Sequence, residues 1–224
     1  MELTVGRILA EVNRSLEAAG FPAVSYLEVP HAAPAEKRHA AAILHEALLS
    51  RGEADGDWDA ALSLGDLYEC HTCVRHIAQM YAKGIMEAAQ DGRFGLRGVV
   101  TEGELSRWLA RVWDPGRRLP APSVTVTPPR RITRAEAEAL LPRLPRRVLI
   151  DLRDEAESAA RPFSPEHRSL PFPRLWQNPY QVTENRELPV FLFCRSGYLA
   201  VLAAQELSRR GYRQVYAVCP GKTV

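Results

Sequence analysis

The sequence predicts an α/β domain built on a parallel sheet at residues 132–224, preceded by an all-α N-terminal domain at residues 1–113. Three observations predict it. In the first half, apolar residues recur at helical spacing and each run is closed by a glycine. A stretch rich in proline and arginine, residues 114–131, then separates the halves as an extended linker. Beyond it, short apolar runs alternate with Ala-rich helical segments, the pattern of strands joined by crossover helices.

The elements follow in order. Val5, Ile8, Leu9, Val12 and Leu16 place a helix over residues 3–19, stopped by Gly20 before Phe21-Pro22. Ile43, Leu44, Ala47 and Leu48 mark a second helix over residues 35–51, ended by Gly52. His39 and His45 lie six apart on it, a poor spacing for shared metal ligation, and are expected to be solvated or capping. Further on, Gly84 ends a helix, Asp91-Gly92 makes a turn, and Thr101 with Glu104 forms a capping box. This sequence of features over residues 61–113 resembles one S-layer homology repeat. The family's Ile-Thr-Arg-Ala-Glu signature is replaced there by Val100-Thr101-Glu102-Gly103-Glu104, with an acid where a base would meet an anionic wall polymer. The resemblance therefore implies a helical scaffold rather than a wall anchor.

Within that stretch lies Cys70-His71-Thr72-Cys73-Val74-Arg75-His76. Three readings stand side by side. Cys70 and Cys73 at a helix start form a candidate redox pair. Cys70, Cys73 and His76 on one helical stripe would supply three zinc ligands, though a second Cys pair is lacking. Alternatively, both cysteines simply pack the repeat. A c-type haem is excluded because Val74 stands where its histidine belongs.

In the second half, Thr133 is expected to cap a helix reaching Leu141, and Val148–Arg153 reads as a buried strand. Glu155–Ala160 reads as helical and residues 161–187 as irregular. The centre of the domain is Val190–Leu207: a buried strand, the turn Cys194-Arg195-Ser196-Gly197-Tyr198, and an Ala-rich helix starting at once. Gly197 permits a sharp turn that aims backbone N–H groups inward, beneath the Cys194 sulfur. Such a cradle at a helix N-terminus lowers a thiol's pKa and makes the nucleophilic thiolate. In a parallel sheet, sites lie beyond the strands' carboxyl ends, where Cys194 falls.

These motifs together make residues 132–224 similar to the rhodanese family: Leu149–Arg153 with Glu157 behind, Cys194-Arg195-Ser196-Gly197, Ala203-Ala204, and Gly211-Tyr212 before Val215-Tyr216. The resemblance implies a sulfurtransferase in which Cys194 carries sulfane sulfur as a persulfide. Arg195, Ser196, Gly197, Tyr198 and Leu199 would form the substrate-binding loop, while Asp151 and Arg153 would be structural. No cofactor is implied. The partners implied are a sulfur donor and a thiol acceptor, the latter a small thiol or a partner protein. Cys70 and Cys73 are the acceptor or reductant this chain itself offers. Three departures accompany the resemblance. Leu199 replaces a base that would help bind an anionic donor such as thiosulfate, with Arg195 the nearest substitute. Pro165–Pro171 replaces a His-x-Pro-Gly-Ala region, and the usual final helix is reduced to Pro220–Val224. The alternative function is an inactive rhodanese-like module that docks a partner. Phosphatases of this architecture need an arginine six residues after the cysteine, where Ala200 stands.

Composition narrows the setting. A net charge of +2 gives no case for nucleic acid, and no apolar run is long enough to span a membrane. Glu2, Arg7, Glu11, Arg14 and Glu17 argue against a signal peptide, and four cysteines do not make a disulfide framework. Reduced thiols and a cytoplasmic location are expected.

Overall fold

The computed structural model describes residues 3–220. The chain divides into two compact units, Met1–Val126 and Thr127–Val224. Together they hold eight α-helices and one five-stranded, all-parallel sheet among the described residues. No helix among these residues is long and apolar enough to cross a membrane.

The first unit carries α1 (Val5–Ala18), α2 (Lys37–Ser50), α3 (Val74–Ala82) and α4 (Glu102–Trp113). Strand-type pairing enters it as two isolated bridges among the described residues, Thr4–Pro34 and Glu36–Val99. The expected apolar stripes are the buried ones: Val5, Ile8, Val12 and Leu16 on α1, and Ile43, Leu44, Ala47 and Leu48 on α2. Each large aliphatic side chain so enclosed stabilises the unit by about 1.5–3 kcal/mol before entropy is counted. Asp66 is buried, and its carboxylate accepts the N–H groups of Phe94 at 2.7 Å and Gly95 at 2.8 Å. This arrangement folds the Asp91–Leu96 loop inward and seats Phe94 in the core. The Thr101–Glu104 capping box forms as read from the sequence.

Two expectations change here. His39 and His45 are both buried rather than solvated. His39 does serve as a cap, its Nδ1 accepting the Glu36 N–H at 3.2 Å. The expected linker, 114–131, is narrower at both ends. Residues 115–117 form a 3-10 turn, and the Leu119 N–H donates to the Gly84 carbonyl at 2.9 Å. Gly84 has φ +67°, and a Cβ there would sit 2.2 Å from the Leu119 carbonyl oxygen. Arg118 forks onto Glu53 at 2.8 and 2.7 Å, with Lys83 at 2.9 Å on the same carboxylate. Burial alone would raise the Glu53 carboxyl, but these cations outweigh it and hold it down to about 2.

The second unit has sheet order β1-β5-β4-β2-β3. Its strands are β1 (Arg130–Thr133), β2 (Val148–Asp151), β3 (Arg168–Ser169), β4 (Val190–Phe193) and β5 (Val215–Cys219). The connecting helices are α5 (Arg134–Leu140), α6 (Glu155–Ala160), α7 (Phe172–Gln177) and α8 (Tyr198–Arg209). Val190, Phe191, Leu192 and Phe193 are all buried, as a central parallel strand covered on both faces requires. Arg130 and Arg131, read as linker, instead begin β1 and pair with Tyr216 and Ala217. Thr133 then caps α5 with a capping box onto Glu136. The stretch read as irregular, 161–187, contains β3 and α7. β3 is only two residues long and exists because Arg168 and Ser169 pair with Ile150 and Asp151. α7 starts on a proline in its first turn, where a missing N–H costs nothing.

Candidate functional site

β4 ends at Phe193 and α8 begins at Tyr198, so four residues make the whole connection. Gly197 occupies the left-handed region, with φ +86° and ψ −22°, which turns the chain into the helix within one residue. The Gly197 N–H then donates to Cys194 Sγ at 3.1 Å. The N–H groups of Ala200, Ser196 and Leu199 also point to this sulfur. The cradle expected from the sequence is therefore built. Its effect on the thiol is not the one expected. Burial pushes the Cys194 thiol up, and the four N–H groups offset only part of that shift. A helix N-terminus favours the thiolate only as far as desolvation allows.

The loop residues divide by exposure. Arg195 and Ser196 are exposed, Leu199 is half-buried, and Gly197 and Tyr198 are buried. The Arg195 guanidinium pairs with Glu157 Oε2 at 2.8 Å. Glu157 also takes Arg153 at 3.2 Å, and Arg153 in turn clasps the buried Asp151 at 2.6 Å. Burial would raise the Asp151 carboxyl, but Arg153 and the Ser158 hydroxyl hold it below the usual carboxylate range. The Ser158 hydroxyl donates to Asp151 at 3.0 Å and lies 2.8 Å from His167 Nε2. A chain of charge thus runs from β2 to the Cys194 turn through Asp151, Arg153, Glu157 and Arg195.

A cavity of about 800 Å³ opens at the carboxyl end of the sheet, lined among others by Cys194, Arg195, Arg153, Phe163, Phe193 and Cys219. The chain leaves β2 for β3 on one side and returns as β4 on the other, so this is a topological switch point. Cys219 was not singled out by sequence. One step beyond the Phe193–Val218 register pair lie Cys194 and Cys219, on adjacent strand ends. A Cβ on Gly197 would sit 2.9 Å from Cys219 Sγ, so the two sulfurs flank the same glycine. Burial and the nearby Cys194 raise the Cys219 thiol to about 11. The missing signal was strand register, which single-strand periodicity does not contain.

Cys70 and Cys73 belong to the other unit, where they are joined as a disulfide. Cys73 is the N-cap of α3, as expected, but Cys70 precedes the helix and shares no helical stripe with His76. With the sulfurs bonded to each other, the set Cys70, Cys73 and His76 is not assembled as zinc ligands. His76 instead turns its Nδ1 to His45 Nδ1 at 2.9 Å. The pair also departs from the expectation of reduced thiols throughout, and the free cysteines are Cys194 and Cys219. No protein-family model and no curated protein matches the chain.

Proposed function

We propose that the parallel-sheet unit is a rhodanese-like sulfurtransferase whose carrier is Cys194. The observation that supports this most is the set of backbone N–H groups converging on its sulfur, led by Gly197 at 3.1 Å. Such a cradle suits the Cys194 thiolate, both as it attacks a donor and as it departs from a persulfide, because its charge then sits on the sulfur to which the N–H groups point. The Cys194 thiolate attacks the outer sulfur of a sulfane donor. The donor's S–S bond breaks, and its electron pair leaves on the remaining donor fragment. A thiolate acceptor then attacks the outer sulfur of the persulfide, and Cys194 departs as thiolate. Four arginines line the cavity: Arg153 and Arg195 are engaged by Glu157, Arg134 pairs with Glu138, and Arg161 adds a further guanidinium. Because Leu199 stands where a base would bind an anionic donor, this reading favours a neutral or protein-bound persulfide as donor. The helical unit serves as scaffold, and a cytoplasmic setting agrees with a thiol-borne carrier.

Intact mass after incubation with a sulfane donor tests the reading. Wild type and Cys219→Ser should each gain one sulfur atom, and Cys194→Ser none. Because burial raises the thiol, uptake should quicken as pH rises through the alkaline range. Equal uptake by wild type and Cys194→Ser would refute the assignment. A second reading, a docking module without turnover, is favoured by that same raised thiol. It predicts a Cys194 that is no more reactive toward alkylating agents than a free thiol at any pH.

A further inference from the structure

We infer that the helical unit holds a divalent-metal site of the zinc class formed by His45, His76 and Glu46. His45 and Glu46 come from α2 and His76 from α3. Their donor atoms all lie within 4.8 Å of one another. His45 Nδ1 and His76 Nδ1 are 2.9 Å apart, and Glu46 Oε1 is 3.9 Å from His76 Nδ1. Ligands around a tetrahedral zinc stand roughly 3.3 Å apart, given metal–ligand bonds of about 2.0–2.1 Å. Two of the three separations bracket that value and the third lies within 4.8 Å, so a rotamer adjustment of the partly exposed Glu46 side chain, by up to about 1.5 Å, closes the site. Two imidazoles and a carboxylate suit a borderline cation, and they leave a fourth position for water.

The surroundings distinguish this cluster from a chance meeting of histidines. His45 is fully buried, and its other nitrogen, Nε2, meets Asp55 Oδ1 at 3.0 Å. Asp55 is itself held by Arg75 through Oδ2 at 2.8 Å. A carboxylate on the far nitrogen fixes ring orientation and tautomer, leaving Nδ1 as the ligand. His45 is thus the rigid member. His76 and Glu46 are more exposed, with side-chain accessibilities of 16% and 41%, and can adjust around an ion. One of the two facing Nδ1 atoms carries the proton of their hydrogen bond in the metal-free chain, and the cation displaces it. A bound ion would tie α2 to α3 beside the Cys70–Cys73 turn, using His76 but neither sulfur.

The test uses the full chain, dialysed against a chelator and titrated with Zn(II) or Co(II) alone under non-reducing conditions. One equivalent should bind to wild type and equally to the Cys70→Ser/Cys73→Ser double variant. Glu46→Gln and His76→Gln should weaken binding at least tenfold, and Asp55→Asn by about 10–100-fold, the usual range for such a supporting carboxylate. Co(II) spectra should show nitrogen and oxygen ligation without a thiolate charge-transfer band. Glu46 is partly exposed, so its variant keeps the test valid if a histidine variant fails to fold. The inference fails if wild type binds no ion, if Glu46→Gln and His76→Gln bind as wild type does, or if the double cysteine variant loses the metal.

Discussion

Two helices in this protein begin at a cysteine-containing turn, and the two turns are fastened in different ways. Before α3, Cys73 is the N-cap and its sulfur is spent in a bond to Cys70. Before α8, Cys194 lies three residues ahead of the N-cap, Gly197, and its sulfur receives N–H groups instead. The difference lies in the backbone. Cys73 has φ −99° and ψ 0°, so the chain enters α3 in an ordinary right-handed turn. Gly197 enters α8 from the left-handed region, which rotates the preceding peptide groups toward the sulfur. A helix N-terminus is common to both, so it is not what makes a sulfur site. The left-handed glycine and the charged chain behind it are what the Cys194 turn adds.

The largest effect expected from breaking that contrast is at the charged chain. Asp151→Ala removes the buried partner of the half-buried Arg153, leaves it Glu157 as its remaining acidic partner, and should cost about 3 kcal/mol, the low end for breaking a buried pair. Urea unfolding measures it. The loss should shrink as pH falls. The Asp151 carboxyl is depressed in the fold, so its contribution is full above the unfolded pKa and disappears as pH drops through the folded one. A loss that stays constant down to strongly acid pH would show that packing, not charge, holds the turn. Next in size is the glycine. Gly197→Ala places a Cβ at φ +86° and 2.9 Å from Cys219 Sγ, for about 2–3 kcal/mol of strain and crowding. Pairing it with Cys219→Ala isolates the sulfur's part: the double variant should recover that share and keep the backbone share, with the Cys219 Cβ still 3.1 Å away. If the double variant is as stable as wild type, the left-handed backbone carries no cost and the contrast between the turns loses its basis.

How much of this was legible in the sequence follows from which interactions are local. The α1 and α2 stripes, the Thr101 and Thr133 caps and the strand–turn–helix around Cys194 all depend on residues within a turn or two of each other, and they form as read. β3 was missed because two residues have no periodicity, and only pairing with Ile150 and Asp151 makes them a strand. Arg130 and Arg131 read as linker because an edge strand tolerates charge and only its partner β5 reveals it. His45 looked solvated because nothing nearby in the sequence announces Asp55 and His76 as its partners. The cradle at Cys194 was legible, whereas the burial that raises its thiol was not, since desolvation is a property of the packed unit.

The other turn gives a smaller expected effect. Cys70→Ser with Cys73→Ser opens a loop of four residues, for which chain entropy assigns about 2 kcal/mol. Denaturant midpoints of wild type with and without reductant should differ by the same amount as wild type and the double variant. A much larger loss would mean the disulfide also organises the start of α3, making it the true counterpart of the Gly197 cradle.

The smallest expected effect bears on donor choice at the Cys194 turn, and it rests on the sulfurtransferase reading. Leu199 stands in the first turn of α8, half-buried, and its own N–H belongs to the cradle. The neighbouring guanidinium of Arg195 is engaged by Glu157, and the helix N-terminus adds its own positive potential at the loop. Leu199→Arg adds a mobile cation at that end. One charge-assisted hydrogen bond is worth roughly 1.5 kcal/mol, so thiosulfate use, as kcat/KM, should rise about tenfold. A neutral persulfide donor gains no such bond and should be used at nearly the wild-type rate. The ratio of the two donors is therefore the decisive quantity, because a general loosening of the loop would move both together. An unchanged ratio, with the variant folded and Cys194 still taking up sulfur, would show that the cradle alone sets donor choice. It would then be the backbone of this turn, not the side chains around it, that separates it from the turn at Cys73.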